Sequence, residues 1–414
     1  MTRDSREPVG GWRQLGPGIV VAATGVGAGD LVAAAVCGAR YGHELLWTAV
    51  VGALLKFALT DGLARWQLAS GSTLIEGWAT RLGRVTAAAV LLYVVLWTLV
   101  VAAALMSACG LAVHAVFPAI PVAAGGVLHA LAALALVWSG RYGLFERTMK
   151  WFVGIMFVAI VGSVLRAPPA PAALLAGLVP RAPAGSLAYA LAVLGGVGGT
   201  VTIVSYGYWM RERGWSGRAM SRVVRLDLGV AYVLTGIFGC AVMVLAAEVL
   251  HGSGLEVKGR EAALVMAEML GEHGGRTGRA VFLAGFWGAV ASSLLGVWQG
   301  VPYLVADLWK RLGHGGGEPS RVSTTSHLYR GYLLFMSTVP MLFLVLEPVG
   351  LVILYAALGA LFMPFLAVTL LVMLNRRSWM RGARNGPVSN LLLVVSLGVF
   401  VYLGGSKLLD LIAR

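Results

Sequence analysis

The chain has 414 residues, of which 58% are hydrophobic and only 12% are charged. Soluble domains carry about 25% charged residues, so this composition predicts an all-α, multi-pass membrane protein without a soluble domain. The formal net charge of +14 does not indicate nucleic-acid binding, because the basic residues fall in alternate loops between apolar stretches.

Eleven hydrophobic spans are predicted, each long enough to cross a bilayer. Their expected bounds are 16–40, 43–70, 85–113, 118–138, 149–166, 186–209, 227–250, 277–306, 328–346, 349–374 and 389–409. Most Lys and Arg residues of the loops lie on one side of this arrangement, and basic loops stay in the cytoplasm. We therefore expect an integral protein of a prokaryotic inner membrane, with a cytoplasmic N-terminus and an extracytoplasmic C-terminus.

Two of the spans contain glycine-rich segments in corresponding places, at 24–30 in span one and at 195–202 in span six. Glycine allows a helix to unwind, and unwound backbone at membrane depth is tolerated only where it is buried in protein or lines a cavity. Paired breaks of this kind are typical of binding sites in secondary transporters. The sequence therefore predicts that both helices are broken and that a substrate binds between the breaks.

The spans also divide into two sets of five, over 16–180 and 181–376, and each set begins with a broken helix. Because five is an odd number, the second set enters the membrane in the opposite direction. This pattern predicts a 5+5 inverted repeat of the LeuT type. Residues 1–15 are then a cytoplasmic segment, and 377–414 supply an eleventh helix and the extracytoplasmic C-terminus.

Span two carries three charged residues, Lys56, Asp61 and Arg65. Asp61 and Arg65 are four residues apart and can pair on one helix face, as a structural or gate salt bridge or as part of the transport path. Lys56 lies near the middle of the span, where a charge needs a partner or a water-filled cavity. It could relay protons, repel a dication, or pair with Asp61 or a backbone carbonyl.

Short motifs along nearly the whole chain resemble, in order and spacing, the Nramp (natural resistance-associated macrophage protein) family of divalent-metal transporters. They are Gly-Pro-Gly at 16–18, Gly-Ala-Arg-Tyr-Gly at 38–42, Leu-Leu-Trp at 45–47, Leu-Ala-Ser-Gly at 68–71, Arg-Tyr-Gly at 141–143 with Glu146, Gly-Thr-Val at 199–201 and Met-Pro-Phe at 363–365. The resemblance implies a LeuT-type fold and a divalent cation as substrate, with no resident cofactor. No enzyme motif is present, so we expect no enzymatic activity.

The chain departs from the family at the metal site. The family's first break reads Asp-Pro-Gly-Asn, whereas 27–30 read Gly-Ala-Gly-Asp, so one carboxylate, Asp30, stands at the Asn position. The family's second break reads Ala-x-x-Met-Pro-His, and here Thr202 replaces Met and Val204 replaces His. The third span has no acidic residue. These changes imply a divergent member with weak or absent proton coupling.

The expected metal ligands are Asp30, Thr202 and carbonyl groups near Gly27 and Gly199. Oxygen ligands without a thioether favour hard ions such as Mg²⁺ or Mn²⁺. Asp30 could alternatively serve only as a helix N-cap, and Thr202 could bond back to its own helix.

Thr24, Gln299 and Tyr355 are further candidates for contact with substrate. A second interpretation is a carrier of a small organic or anionic solute, because Lys56 and two half-helix N-termini could hold a carboxylate. The expected partners are thus a metal ion or small solute and the lipid bilayer, with no nucleic acid. The sequence does not define the oligomeric state, although a monomer is plausible.

Overall fold

The computed structural model describes residues 15–166, 168–253, 262–313, 322–345, 348–380 and 382–412. These residues form helices and connecting turns, without a β-strand in the described ranges. The α-helices are α1 (Pro17–Gly25), α2 (Ala28–Tyr41), α3 (Leu46–Ser70), α4 (Leu74–Gly77), α5 (Arg84–Val116), α6 (Val122–Trp138), α7 (Tyr142–Arg166), α8 (Pro171–Gly177), α9 (Leu187–Gly196), α10 (Tyr206–Glu212), α11 (Ser221–Leu250), α12 (Ala262–Gly313), α13 (His327–Thr338), α14 (Pro348–Asn375), α15 (Arg377–Met380) and α16 (Pro387–Ile412). A π-helical turn covers Trp78–Leu82, and 3₁₀ segments cover Val201–Ser205, Arg218–Met220 and Val339–Val345.

Several of these helices can cross a membrane, as the composition predicts. Among the described residues, six helical segments are long and apolar enough, and the bent pair α1 and α2 would make a seventh. Three shorter apolar helices are Val122–Trp138, Leu361–Asn375 and Pro387–Tyr402. The predicted all-helical membrane class is confirmed, whereas the count of eleven spans, the 5+5 repeat and its domain bounds stay predictions.

Two helices extend well beyond their predicted bounds. Helix α7 begins at Tyr142 rather than near 149, and α12 ends at Gly313 rather than near 306. In each case an ion pair four residues apart continues the helix past its apolar part, Glu146 with Lys150 and Asp307 with Arg311. A hydropathy pattern stops at such charged turns, although i,i+4 pairs favour the helix there.

Both predicted breaks are present. Helix α1 ends at Gly25 and α2 begins at Ala28, with the two axes bent by 57°. Helix α9 ends at Gly196, and regular structure resumes at Val201 as a 3₁₀ turn that leads into α10. Gly198 and Gly199 have φ angles of +91° and +82°, which glycine adopts without the steric penalty of a side chain.

The helices that surround the breaks form the centre of the packed structure. Helix α12 packs against α1, α2, α5 and α7, and α11 packs against α1, α2 and α3. The last helix, α16, packs against α14 but also against α3 and α9. It therefore reaches the second break, although it lies outside both predicted five-helix sets.

Candidate functional site

The two breaks meet backbone to backbone. A Cβ atom on Gly25 would lie 2.6 Å from the carbonyl carbon of Gly198, and one on Gly199 would lie 3.2 Å from the Cα of Gly25. No side chain fits between them without a backbone shift. Glycine at these positions therefore brings the two unwound segments into direct contact.

The first break is held by two serines of α12. The Ser293 hydroxyl lies 3.0 Å from the carbonyl oxygens of both Thr24 and Val26, and the Ser292 hydroxyl donates to the Ala23 carbonyl at 3.0 Å. Carbonyls at a helix end have no partner in their own helix. Both serines are buried, so they act on the break as packing contacts rather than as exposed ligands.

Asp30 links the first break to the second. The N-cap of α2 is Gly27 rather than Asp30, and Asp30 stands three residues later, where its Oδ2 accepts the Gly27 N–H at 3.1 Å. A Cβ atom on Gly196 would lie 2.7 Å from Asp30 Oδ1, so the other carboxylate oxygen lies against the end of α9. The Gly27 carbonyl already accepts the Leu31 N–H at 3.1 Å. Asp30 thus acts as a cap and also presents an oxygen between the two breaks.

A small cavity lies beside this carboxylate. The space open to a water centre is about 10 Å³, which is room for about one water molecule. Its walls come from α1, α2, α11 and the two breaks, namely Gly25, Val26, Asp30, Leu31, Ala34, Val197, Gly198, Thr235, Phe238, Gly239 and Val242. The site can therefore enclose one small particle at Asp30 but not a large solute in this conformation.

Lys56 is directed at the second break. Its Nζ donates to the Gly199 carbonyl, and the residue is fully buried. On another side, Nζ lies 5.4 Å from the centre of the Phe400 ring of α16. Of the alternatives open for Lys56, the structure has the pairing with a carbonyl, and this carbonyl belongs to a predicted metal ligand.

The two predicted threonines differ in position. Thr202 is buried beside Gly199, where its Oγ1 would lie 3.0 Å from a Cβ on that glycine. The Thr24 hydroxyl donates to the Val20 carbonyl at 2.6 Å, and its side chain packs against Gly296 of α12. Thr24 is therefore occupied in its own helix and in packing, which does not support the predicted contact with substrate.

Gln299 and Tyr355 are not brought to the breaks by any described contact. Gln299 Oε1 accepts the indole N–H of Trp209, and its carbonyl accepts the Tyr329 hydroxyl at 2.9 Å. At 1.5 Å per residue, Gln299 is about 9 Å along α12 from Ser293, so it belongs to the packing of α10, α12 and α13. Tyr355 is in α14, and its side chain lies outside the described part of the structure.

Buried ion pairs lie at the helix ends on the side of the breaks from which α1 starts. Glu76 accepts hydrogen bonds from Arg211 and Arg311, both at 2.7 Å, and Arg311 also donates to Asp307 at 2.7 Å. The Tyr208 hydroxyl donates to Asp307 at 2.6 Å. This cluster connects α4, α10 and α12.

The start of α1 is fastened by a second set of contacts. Asp227 of α11 accepts the N–H groups of Gly16 and Gly18 at 3.0 and 2.6 Å, and the Tyr206 hydroxyl at 3.0 Å. Arg213 donates to Glu146 of α7 at 2.5 Å. These contacts hold the start of α1 against α11 on that side.

Asp61 and Arg65 form the predicted pair, with an N···O distance of 2.7 Å. Arg65 also donates to Asn385 at 2.7 Å, and Arg225 lies 3.4 Å from the other Asp61 oxygen. The pair therefore connects α3 with α11 and with the segment before α16. Among the described contacts, none joins this pair to Lys56.

The sequence analysis did not identify Phe400 or Asp227 as parts of this region. Phe400 resembles any apolar residue of a terminal helix, and no local pattern places it beside Lys56. Asp227 is 1% exposed in the structure. The signal in the sequence was its position, a carboxylate at the predicted edge of span seven. No group of three or more His, Cys, Asp or Glu side chains that could hold a metal occurs in the described ranges. A metal here would depend on Asp30, a hydroxyl and backbone carbonyls.

The paired breaks within a helical bundle define a membrane protein of the LeuT fold. The structure of the Eremococcus coleocola manganese transporter in complex with an aromatic bis-isothiourea substituted compound is similar with a TM-score of 0.79, at 14% identity over 97% of this chain and 88% of that chain. MhsT in complex with L-phenylalanine is similar with a TM-score of 0.50, at 13% identity over 94% of this chain and 98% of that chain.

The chain belongs to the natural resistance-associated macrophage protein-like (Nramp) family, whose model matches residues 18–410. It is 28% identical over 254 residues to the divalent metal cation transporter MntH of Mycobacterium tuberculosis, which covers 59% of each chain. It is 25% identical over 318 residues to MntH of Chromohalobacter salexigens, which covers 72% of each. The match to the two Mycobacterium tuberculosis relatives thus spans about 59% of their length, and the family resemblance in the sequence is confirmed.

Proposed function

We infer that the protein is a transporter of a divalent metal cation that works by alternating access around the two breaks. One observation carries this proposal: the unwound segments touch at Gly25 and Gly198, and the Asp30 carboxylate lies between them at a cavity for one small particle. A carboxylate at membrane depth is costly and is functional by default. Family membership and the names of the relatives support a metal ion as the species that binds in this cavity.

The chemistry of the donors favours a hard ion. Asp30, Thr202 and the carbonyl of Gly199 supply oxygen, and oxygen ligands suit Mg²⁺ and Mn²⁺ better than they suit soft ions. The Gly27 carbonyl, which accepts a helical N–H, retains a second lone pair for a cation. Remaining positions in the coordination shell would be filled by water, which Mg²⁺ gives up reluctantly.

We expect transport without stoichiometric proton movement. Helix α5 has no acidic residue between Thr86 and Val113, and Val204 stands at the position of the family's histidine. The ion pairs of Glu76 and Asp61 and the hydrogen bonds of Asp227 would belong to a gate on the side of the N-terminus, which we expect to be cytoplasmic because the basic loops lie there. Opening on that side requires these contacts to separate.

The proposal is tested by binding isotherms of Mn²⁺ and Mg²⁺ to purified protein and to two variants of Asp30. Asp30→Asn keeps a side-chain oxygen that can accept the Gly27 N–H but removes the charge, whereas Asp30→Ala removes both. A ligand role predicts that both variants lose at least about tenfold in affinity, since an ion at a carboxylate gains several kcal/mol. Glu44→Ala removes an exposed carboxylate and serves as the control. If Asp30→Asn binds Mn²⁺ and Mg²⁺ as tightly as the wild type, Asp30 only caps the helix and is not a metal ligand.

The contact of Lys56 favours a second candidate, a carrier of a small organic or anionic solute. A buried amine at the second break offsets the charge of Asp30 and could receive a carboxylate. Small amino and carboxylic acids are therefore tested in the same isotherms. Binding of such a solute, with no binding of either metal, would replace the metal-transport proposal by this candidate.

A further inference from the structure

The side chain of Lys56 lies where a bound cation would be expected. Its Nζ contacts the Gly199 carbonyl and lies above the Phe400 ring. Carbonyl oxygens pair with charges inside membranes, and an aromatic face attracts ammonium groups. The Lys56 ammonium thus places a positive charge at the second break, on the Gly199 carbonyl oxygen that is proposed as a substrate ligand.

The charges of Lys56 and Asp30 offset each other before any substrate binds. The Asp30 carboxylate lies against Gly196 and the Lys56 ammonium contacts the Gly199 carbonyl, so both charges lie at the second break. A dication at Asp30 would also face the ammonium of Lys56. Even with the dielectric constant of water, a dication about 6 Å from an ammonium loses about tenfold in affinity, and the loss is greater in a protein interior. The ammonium and a dication therefore compete for the Gly199 carbonyl.

We propose that Lys56 is a tethered cation, which the substrate dication displaces from the Gly199 carbonyl and which returns to that oxygen when the substrate leaves. This inference rests on the proposed metal transport and adds to it a residue that sets specificity and affinity. Binding then exchanges one cation for another at the same oxygen.

The tethered cation also explains how an empty carrier could change conformation without a proton. An uncompensated carboxylate at mid-membrane is costly, and most simple ways of neutralising it require a proton or another ion from solution. Lys56 supplies the positive charge from within the chain. The absence of acidic residues from the middle of α5 and of a histidine at Val204 is consistent with this role.

The first test is equilibrium binding of Mn²⁺ to the whole protein and to Lys56→Met, which has an uncharged side chain of similar length. We expect the variant to bind at least about tenfold more tightly. Phe400→Leu keeps the ammonium but removes the ring, and we expect about two- to fivefold tighter binding. Lys150→Met removes a partly exposed amine of α7 and should bind like the wild type.

The second test compares net uptake of Mn²⁺ into empty liposomes with exchange of labelled Mn²⁺ against Mn²⁺ inside. In Lys56→Met the empty carrier retains an unbalanced Asp30, so net uptake should fall at least about tenfold while exchange continues. A structural defect would reduce both rates together. This comparison therefore separates the tethered-cation role from a role in folding.

Each outcome decides between the proposals. Suppose that the wild type binds Mn²⁺ and that a folded Lys56→Met variant binds it equally well or more weakly. This result would overturn the tethered-cation proposal and would leave the metal-transport proposal unaffected. Equal losses of uptake and exchange also overturn it. If the wild type and every variant fail to bind Mn²⁺ or Mg²⁺, metal transport itself fails, and the tethered cation with it. If Lys56→Met does not fold, Phe400→Leu decides, and unchanged affinity there counts against the proposal.

Discussion

Replacement of Ser293 by alanine should destabilise the first break. The Ser293 hydroxyl lies 3.0 Å from the carbonyls of Thr24 and Val26, and with one proton it donates to one of them at a time. A buried acceptor left without a donor costs about 1–3 kcal/mol. Because Ser293 is only 2% exposed, water is poorly placed to take over. We therefore expect Ser293→Ala to lower the free energy of unfolding by about 1–3 kcal/mol.

The matched control is Ser337→Ala in α13. Ser337 is also buried, and its hydroxyl donates to the Leu333 carbonyl at 2.7 Å. That carbonyl lies in the interior of a helix, where the backbone ladder already supplies a partner, so we expect a change within about 0.5 kcal/mol. Denaturant titration in mixed micelles measures both variants. Equal effects in the two would refute the idea that the serine of α12 satisfies the break.

Three further predictions address the glycines, the ion pairs and the metal preference. Gly25→Ala should destabilise by about 1–3 kcal/mol because its Cβ meets backbone atoms, whereas Gly162→Ala, which meets nothing within 4 Å, should be neutral or stabilising in thermal unfolding. Glu76→Gln should cost about 3–5 kcal/mol and increase proteolysis, because it leaves buried arginine groups without their carboxylate; wild-type resistance would contradict this. Thr202→Met should raise the affinity for Cd²⁺ relative to Mg²⁺ in isotherms, because a thioether favours soft ions, and an unchanged ratio would contradict the assigned ligand.

Features that depend on local chemistry were predictable from the sequence. The breaks at Gly25 and near Gly198 follow from glycine clusters inside apolar spans, and the pair formed by Asp61 and Arg65 follows from their spacing of four residues. A capping role for Asp30 also follows from its place at the start of a half-helix, although the N-cap itself is Gly27. Each of these requires information from only a few neighbouring residues.

Features that join distant segments were not predictable to the same degree. The contact of Lys56 with Gly199 spans 143 residues, and the sequence could only show that Lys56 needs a partner. The packing of the Thr24 side chain against Gly296 joins residues that are 272 positions apart. Phe400 reaches Lys56 only because α16 packs beside α3 and α9, and no periodicity in a single sequence specifies this arrangement.

Helix α1 is a short rod that is fixed at both ends. Its nine residues span about 14 Å, with Asp227 holding the backbone at its start and the two serines of α12 holding the carbonyls at its end. A rigid rod fixed at two points can swing only when one point is released. The Asp227 end rests on one carboxylate and on the contact of Arg213 with the Leu15 carbonyl at 3.5 Å, whereas the serine end shares its contact with the second break through Gly25. The serine end is therefore the point about which α1 would rotate. Loss of the hydrogen bonds to Asp227 would then let the whole helix move as a rigid body.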